Sequence, residues 1–332
     1  MEFLTFALKG NYKRFYNNLK EVSKKNGKSP VIMFIDAAIS SVLVGSGLTD
    51  YLNYKFYDRT YKERREYVTI KYGSEFYAKY SPKDLATNLR IKTNFHKYYS
   101  KYTKREYYIP EFGLEKLKDF LSRNEVFMIK PTDGLAGTDV KKMSIKDVET
   151  TEKFYEYLKE KNMFLEEFII QDAEWGKICP NSVNTIRAMT RIINGKAELF
   201  YAAARIGNGT AVVDNFHQGG VGVRIDMDKG TLIGNALSKD LEEVEYHPAS
   251  GVKFDGFKIP YWNEIKQMVC EAAMVNPDVK VVGWDVAISN KGPLLIEANR
   301  RPGFDLVQVL ENKGTKYMLE EVKKDNSNKK EA

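Results

Sequence analysis

Residues 281–303, "VVGWDVAISNKGPLLIEANRRPG", decide the fold. Two apolar runs flank "SNKG", the pattern of a hairpin, yet Asp285, Glu297 and Asn299 interrupt them. A turn at Asn290-Lys291-Gly292, with the glycine in the left-handed conformation, sets Asp285 directly opposite Glu297. Asn299 then projects from the same face, because strand side chains alternate with a period of two. This register puts Leu295 and Ala287 beside the carboxylates. Val282, Trp284, Val286, Ile288, Leu294, Ile296 and Ala298 form an apolar opposite face. Like charges facing each other across strands destabilise a sheet. A divalent cation resolves the conflict, since two carboxylates and an amide oxygen are hard donors of the kind magnesium takes together with water and phosphates. The alternative is a salt bridge in which Arg300 or Arg301 spans the two acids.

Moving toward the N-terminus, "FMIKPTDGLAGTDVKKM" (127–143) reads as a strand ending in Lys130, a loop with Gly134 and Gly137, and a second strand. Glycines let backbone amides approach an oxyanion, and a strand-terminal lysine adds a point charge, although a plain glycine-containing hairpin has the same appearance. The segment returns to a strand and lacks G-x-x-x-x-G-K-[ST], so it is not a Walker loop. In "FLEEFIIQDAEW" (164–175) a strand bearing Glu166 and Glu167 runs through Phe168 and Ile169 into a turn. Such a strand end can offer backbone groups and apolar side chains to a purine. Arg187 and Arg191 share a strand face, and a buried arginine needs an anionic partner, whether carboxylate or phosphate. "VVDNFHQGGVGVRID" gathers Asp214, Asn215, His217 and Gln218 before paired glycines, either a ligand loop with His217 as a base or a solvated turn.

The rest of the chain sets the frame. Its 332 residues suffice for more than one lobe, and short strands with helices at 112–122, 152–161 and 262–275 follow a largely helical stretch over residues 1–106. Turns at "INGK", "GNGT" and "DKG" make the sheets largely antiparallel, an α+β class rather than a doubly wound parallel sheet. The tail "KKDNSNKKEA" is polar and is expected to be disordered. Cys179 and Cys270 have no metal or redox spacing, and a reducing cytoplasm is the simple reading. The run "VIMFIDAAISSVLVGSGL" (31–48) carries Asp36 and reads as a core helix.

Net charge is +7, but residues 1–110 carry +11 and the remainder −4. That field suits polyphosphate, an acidic polymer or an anionic membrane surface, and residues 1–30 have the basic amphipathic pattern of a peripheral membrane contact or of a merely soluble helix. No RNA-binding or helix-turn-helix pattern accompanies the basic and aromatic residues, so no nucleic acid partner is expected.

Taken in order, the lysine and glycine loop, the glutamate-bearing strand end and the Asp…Glu-x-Asn hairpin resemble the ATP-grasp superfamily. "GLTDYLNYKFYDRTYKERREYVT" (47–69), "SVNTIR" (182–187), "VDNFHQGG" (213–220) and "GWD" (283–285) are similar to the sugar-transfer-associated ATP-grasp proteins of bacterial surface-polysaccharide clusters. The resemblance implies an ATP-grasp fold with two α+β lobes, residues 107–170 and 171–315, gripping ATP behind a helical region (1–106), with 316–332 as helix end and tail. It implies that Lys92 and Lys130 contact ATP phosphates and that the loop from Thr132 to Asp139, with Gly134 and Gly137, covers them. Glu166 and Glu167, with Phe168 and Ile169, then belong to the adenine side, and Asp285, Glu297 and Asn299 hold Mg2+. Many such ligases carry an arginine just before the aspartate of this triad; here Gly283 and Trp284 stand instead, leaving Arg187, Arg205 or Arg301, with His217 nearby, to serve the transferring phosphoryl group. The implied activity is an ATP- and magnesium-dependent carboxylate–amine ligase working through an acyl phosphate on an amino acid and a sugar-linked acceptor. A kinase of a sugar or lipid-linked hydroxyl and a nucleotide-regulated scaffold at the inner membrane face are the alternatives.

Overall fold

The structure, a computed structural model, describes residues 12–132, 140–209, 219–238 and 240–331, with side chains described as far as residue 325. Gly134, Gly137 and His217 therefore lie outside the described residues.

The N-terminal part is helical, as its three-and-four periodicity predicts. Helices α1 (Tyr12–Asn26), α2 (Pro30–Val44), α3 (Leu48–Asn53), α4 (Ile70–Tyr80) and α5 (Lys92–Tyr98) are joined by shorter helical turns. Proline at the first turn of α2 and left-handed Gly45 after it set that helix's limits. The α2 segment is not the core helix its composition suggests. Met33, Ala37 and Ser40 are buried, but Val31, Ile32, Ile35, Ile39, Val42 and Leu43 are exposed.

Two antiparallel sheets follow. The smaller has the order β1-β4-β2-β3, from β1 (Tyr107–Tyr108), β2 (Val126–Pro131), β3 (Lys141–Ser144) and β4 (Met163–Glu167). Its core packs Phe127, Ile129 and Leu165 against Leu117 and Phe120 of α6 (Leu114–Arg123) and Phe154 and Leu158 of α7 (Thr151–Glu160). The larger has the order β11-β10-β5-β6-β7-β8-β9, from β5 (Thr185–Ile193), β6 (Lys196–Ile206), β7 (Val221–Asp226), β8 (Thr231–Ser238), β9 (Glu243–Val244), β10 (Val281–Ser289) and β11 (Gly292–Asn299). One face buries Ile186, Ala188, Trp284 and Val286 against Ile265 and Val269 of α8 (Trp262–Ala273). The other packs Met189, Tyr201 and Val281 against Phe76 and Tyr77 of α4, Leu306 and Val307 of α9 (Asp305–Glu311) and Leu319 of α10 (Tyr317–Glu331). Strand alternation thus splits β5 and β10 into one face for the large core and one that can carry arginines and carboxylates.

Three expectations are corrected. The tail is helical to Glu331, and Asp325 accepts a hydrogen bond from the backbone N–H of Asn194 at 3.0 Å. The hairpin turn has two residues, Asn290 and Lys291, since Ser289 pairs with Gly292; Gly292 is left-handed as expected, at φ 92°. Val286 pairs with Leu295 and Asp285 with Glu297, so Ile296 is an extra residue in β11. Leu295 consequently joins the large core, while Leu294 pairs with Ala287 on the carboxylates' side and Ile296 lines a cavity there. Without this bulge Leu295 and Glu297, two residues apart, would share a face; the extra residue sends one to the core and keeps the other opposite Asp285.

Candidate active site

The two sheets and α5 enclose a cavity of about 340 Å³ lined by Arg90, Lys92, His96, Lys130, Glu166, Glu297, Asn299, Arg300 and Arg301. Six of the predicted residues, Lys92, Lys130, Glu166, Glu297, Asn299 and Arg301, meet here from four parts of the chain.

On the small-sheet side, buried Glu166 sits among three basic side chains. His96 Nε2 lies 2.5 Å from Oε1, Arg105 donates to Oε2 at 2.9 Å, and Lys130 Nζ pairs with the same oxygen. Burial alone would raise the Glu166 carboxyl, but the charges of Arg105 and Lys130 hold it well below the ordinary carboxylate range. His96 stacks on Tyr107, with ring centroids 4.7 Å apart. Its Nδ1 is buried without a hydrogen-bond partner. Lys92 donates to the carbonyl of Pro131 at 3.0 Å, beside the strand end that carries Lys130. His96 and Arg105 were not singled out from the sequence. The available signal for His96 was its position four residues after Lys92, which puts both on one side of α5.

Glu167 does not face this cavity: its carboxylate accepts from Lys291 at 2.7 Å and from the backbone N–H of Glu106 at 3.1 Å. Phe168 and Ile169 follow the strand rather than belong to it, and the Phe168 ring lies 4.4 Å from Lys142 Nζ. From there the chain crosses to the hairpin, where Ile170 accepts from Asn290 N–H and Asp172 N–H donates to Ile288.

On the large-sheet side, Asp285 faces Arg187 across β5 and Glu297 across β11. Arg187 Nε donates to Asp285 Oδ1 at 2.5 Å, and Arg205 from β6 donates to Oδ2 at 3.1 Å. These arginines, not Arg300 or Arg301, are the salt-bridge partners. Burial would raise Asp285, but Arg187 and Arg205 bring it below its ordinary value. Glu297 still reaches solvent in the cleft; the protein around it and then the Asp285 charge raise its carboxyl to about 7. Facing carboxyls repel when both are ionised, so Asp285, beside its two arginines, is the stronger acid of the pair and Glu297 the weaker. Asn299 Nδ2 lies 3.4 Å from Glu297 Oε1. Among the described residues no cluster of three or more His, Cys, Asp and Glu side chains is arranged to hold a metal. Two facing carboxyls, with the Asn299 amide nearby, nonetheless make a hard-oxygen donor set of the kind a divalent cation takes.

The cavity also fits an anion. Arg90, Lys92, Lys130, Arg300 and Arg301 all line it, and burial, then the charges of Arg301 and Arg90, push Arg300 below its ordinary value. Arg301 donates to Ser74 Oγ at 3.1 Å and Arg300 to the Ser81 carbonyl at 2.9 Å. Gly283 explains the missing arginine. A Cβ there would lie 2.7 Å from Pro302 Cβ, so a side chain would have to displace that proline, and Trp284 points into the opposite core, donating to Thr190 Oγ1 at 2.8 Å.

Solved structures similar to the chain include the ATP-grasp ligase PsnB complexed with a minimal precursor, at 14% identity over 73% of this chain and 62% of that one, TM-score 0.41. Another is D-alanyl-alanine synthetase A from Vibrio cholerae O1 biovar eltor str. N16961, at 13% identity over 74% of this chain and 67% of that one, TM-score 0.42. The chain spans less than two thirds of the PsnB length. No curated protein sequence matches it significantly. The profile of the sugar-transfer associated ATP-grasp family matches residues 55–324, which hold both sheets and every described candidate residue, and the chain belongs to that family.

Proposed function

We propose that the protein is an ATP- and magnesium-dependent carboxylate–amine ligase, joining an amino acid to a sugar or uronic-acid component of a surface polymer. The observation that carries this reading is the cavity lined at once by Lys92, Lys130, Arg300 and Arg301 and by Glu297, whose strand partner is Asp285. Residues 107–170 and 171–315 act as the two lobes of the grip. The acceptor class is supported by the sugar-transfer association in the family's description.

In the proposed reaction a substrate carboxylate oxygen attacks the γ-phosphorus of ATP and ADP departs, leaving an acyl phosphate. An amine nitrogen then attacks the carbonyl carbon, the C–O bond to phosphate breaks, and amide, inorganic phosphate and a proton are released. Phosphoryl transfer asks for positioning and charge neutralisation more than covalent participation. Lys92, Lys130 and Arg301 bind the polyphosphate. Glu166, fixed by His96 and Arg105, positions Lys130. Arg187 and Arg205 favour the ionised form of Asp285, which leaves Glu297 as the member of the pair that would give up a proton on binding a cation. Bound there by Asp285, Glu297 and Asn299, Mg2+ would supply charge neutralisation of the β- and γ-phosphates.

The test is ADP and phosphate release by the purified protein with pooled amino acids and uronates, with mass analysis of the product. Magnesium-dependent release of phosphate together with an amide is expected. ATP binding without turnover on any pool would remove the ligase reading, and phosphate retained on an acceptor hydroxyl would identify a kinase.

A further inference from the structure

The face of α2 is inverted relative to an ordinary surface helix. Its Asp36 points inward, accepting from Tyr51 and Tyr61 at 2.8 Å each and from Arg64 at 2.9 and 2.7 Å, and Ser40 is fully buried. The outward positions are aliphatic: Val31, Ile32, Ile35, Ile39, Val42 and Leu43 are each between 45% and 79% exposed and recur at three-and-four spacing along one stripe. A contiguous exposed apolar stripe marks an interaction surface.

Charge around the stripe favours one occupant. Lys24 and Lys25 lie in the last turn of α1 and Lys28 in the turn leading into α2, Lys24 paired with Glu21 and Lys28 with Asp58. At the far end Val42 and Leu43 line a cavity of about 300 Å³ together with Arg65, Lys71 and Lys316, where Glu75 is the one acid. Cations at both ends of an aliphatic stripe match a bilayer surface with anionic headgroups, which binds the charges while its acyl boundary takes the aliphatic side chains. No single helix among the described residues is long and apolar enough to cross a membrane. The α2 stripe, about 22 Å long at ~1.5 Å per residue, is shorter than a hydrocarbon core of about 30 Å. It suits a helix lying in the plane of the interface.

We propose that α2, rather than residues 1–30 alone, docks the protein on anionic lipid bilayers, with Ile35 and Ile39 at the centre of the contact. The proposal is independent of the ligase reading. The test is flotation of the full chain with phosphatidylcholine vesicles with and without 30 mol% phosphatidylglycerol, comparing the native protein with Ile35→Asp/Ile39→Asp and Lys24→Glu/Lys25→Glu. Native protein is expected to float with the anionic vesicles. The aspartate pair should reduce this at least tenfold with unchanged circular dichroism and ATP turnover, and the glutamate pair should reduce it several-fold. Absence of native binding, or binding unchanged in Ile35→Asp/Ile39→Asp, overturns the proposal. So does a concentration-dependent dimer that this variant dissolves in the absence of vesicle binding, which would assign the stripe to a second copy. Binding that survives the aspartate pair but is lost on removing residues 1–11 would move the contact to that segment and equally overturn it.

Discussion

At the scale of single residues, the Asp285–Glu297 pair offers the sharpest test of the proposed metal site. To bind a cation Glu297 would have to lose its proton, and the protein around it together with the Asp285 charge raises its carboxyl to about 7. Magnesium affinity should therefore climb as pH rises toward 7 and level off above it; magnesium titrations of nucleotide binding between pH 5.5 and 8.5 measure this, and Glu297→Gln should be weak and flat throughout. Asp285→Ala removes the counter-charge of two mostly buried arginines, so it should destabilise the fold by about 3 kcal/mol in urea unfolding, with Arg187→Met/Asp285→Leu recovering most of the loss. The opposition of the two carboxylates was legible in the sequence, because alternation and a short turn are local rules. Their arginine partners were not, because Arg187 and Arg205 lie 98 and 80 residues away from Asp285 along the chain. Only the registers of β5 and β6 bring them there. For the same reason Gly283 read as a missing arginine rather than as a position closed by Pro302.

At the scale of elements, α3 offers a test of burial against charge. Asp50 Oδ2 accepts the backbone N–H of Gly47 at 2.9 Å, capping α3, and of Ile70 at 2.8 Å, tying it to the start of α4. Burial outweighs these bonds and raises its carboxyl to about 6. A carboxyl raised in the folded state stabilises when protonated, so its contribution is full below the ordinary aspartate value and is lost as pH rises to about 6. Asp50→Asn keeps an oxygen for both bonds; thermal unfolding from pH 4 to 7 should show it gaining on the native protein as pH increases. The elements themselves were largely readable from period and turn chemistry. The bulge at Ile296 was not, since placing Gly292 in a three-residue turn also sets Asp285 opposite Glu297 while exchanging the faces of Leu294 and Leu295. The inverted α2 was unreadable for a related reason. Hydrophobic composition announces a helix, but Arg64 and the tyrosines that draw Asp36 inward come from residues 51–64.

At the scale of the whole molecule, the cavity takes its walls from both sheets and from α5. A nucleotide held there should stabilise them together. With magnesium and a non-hydrolysable ATP analogue at 100 times its dissociation constant, unfolding free energy should rise by about 2.7 kcal/mol, in one calorimetric transition. Glu166→Gln, which leaves Arg105 and Lys130 without their shared carboxylate, should lose most of that gain. Two transitions, with only one moved by the nucleotide, would show that one sheet binds alone. The ATP-grasp architecture was legible as an ordered set of segments, whereas the partition of charge around the cavity needed both sheets in place. Gly283 beneath Pro302 carries a consequence for engineering. A Cβ added at position 283 lies 2.7 Å from Pro302 Cβ, so a side chain grafted there must displace that proline. An arginine introduced at position 283 alone should therefore lower the melting temperature, and a smaller residue at position 302 should return part of the loss.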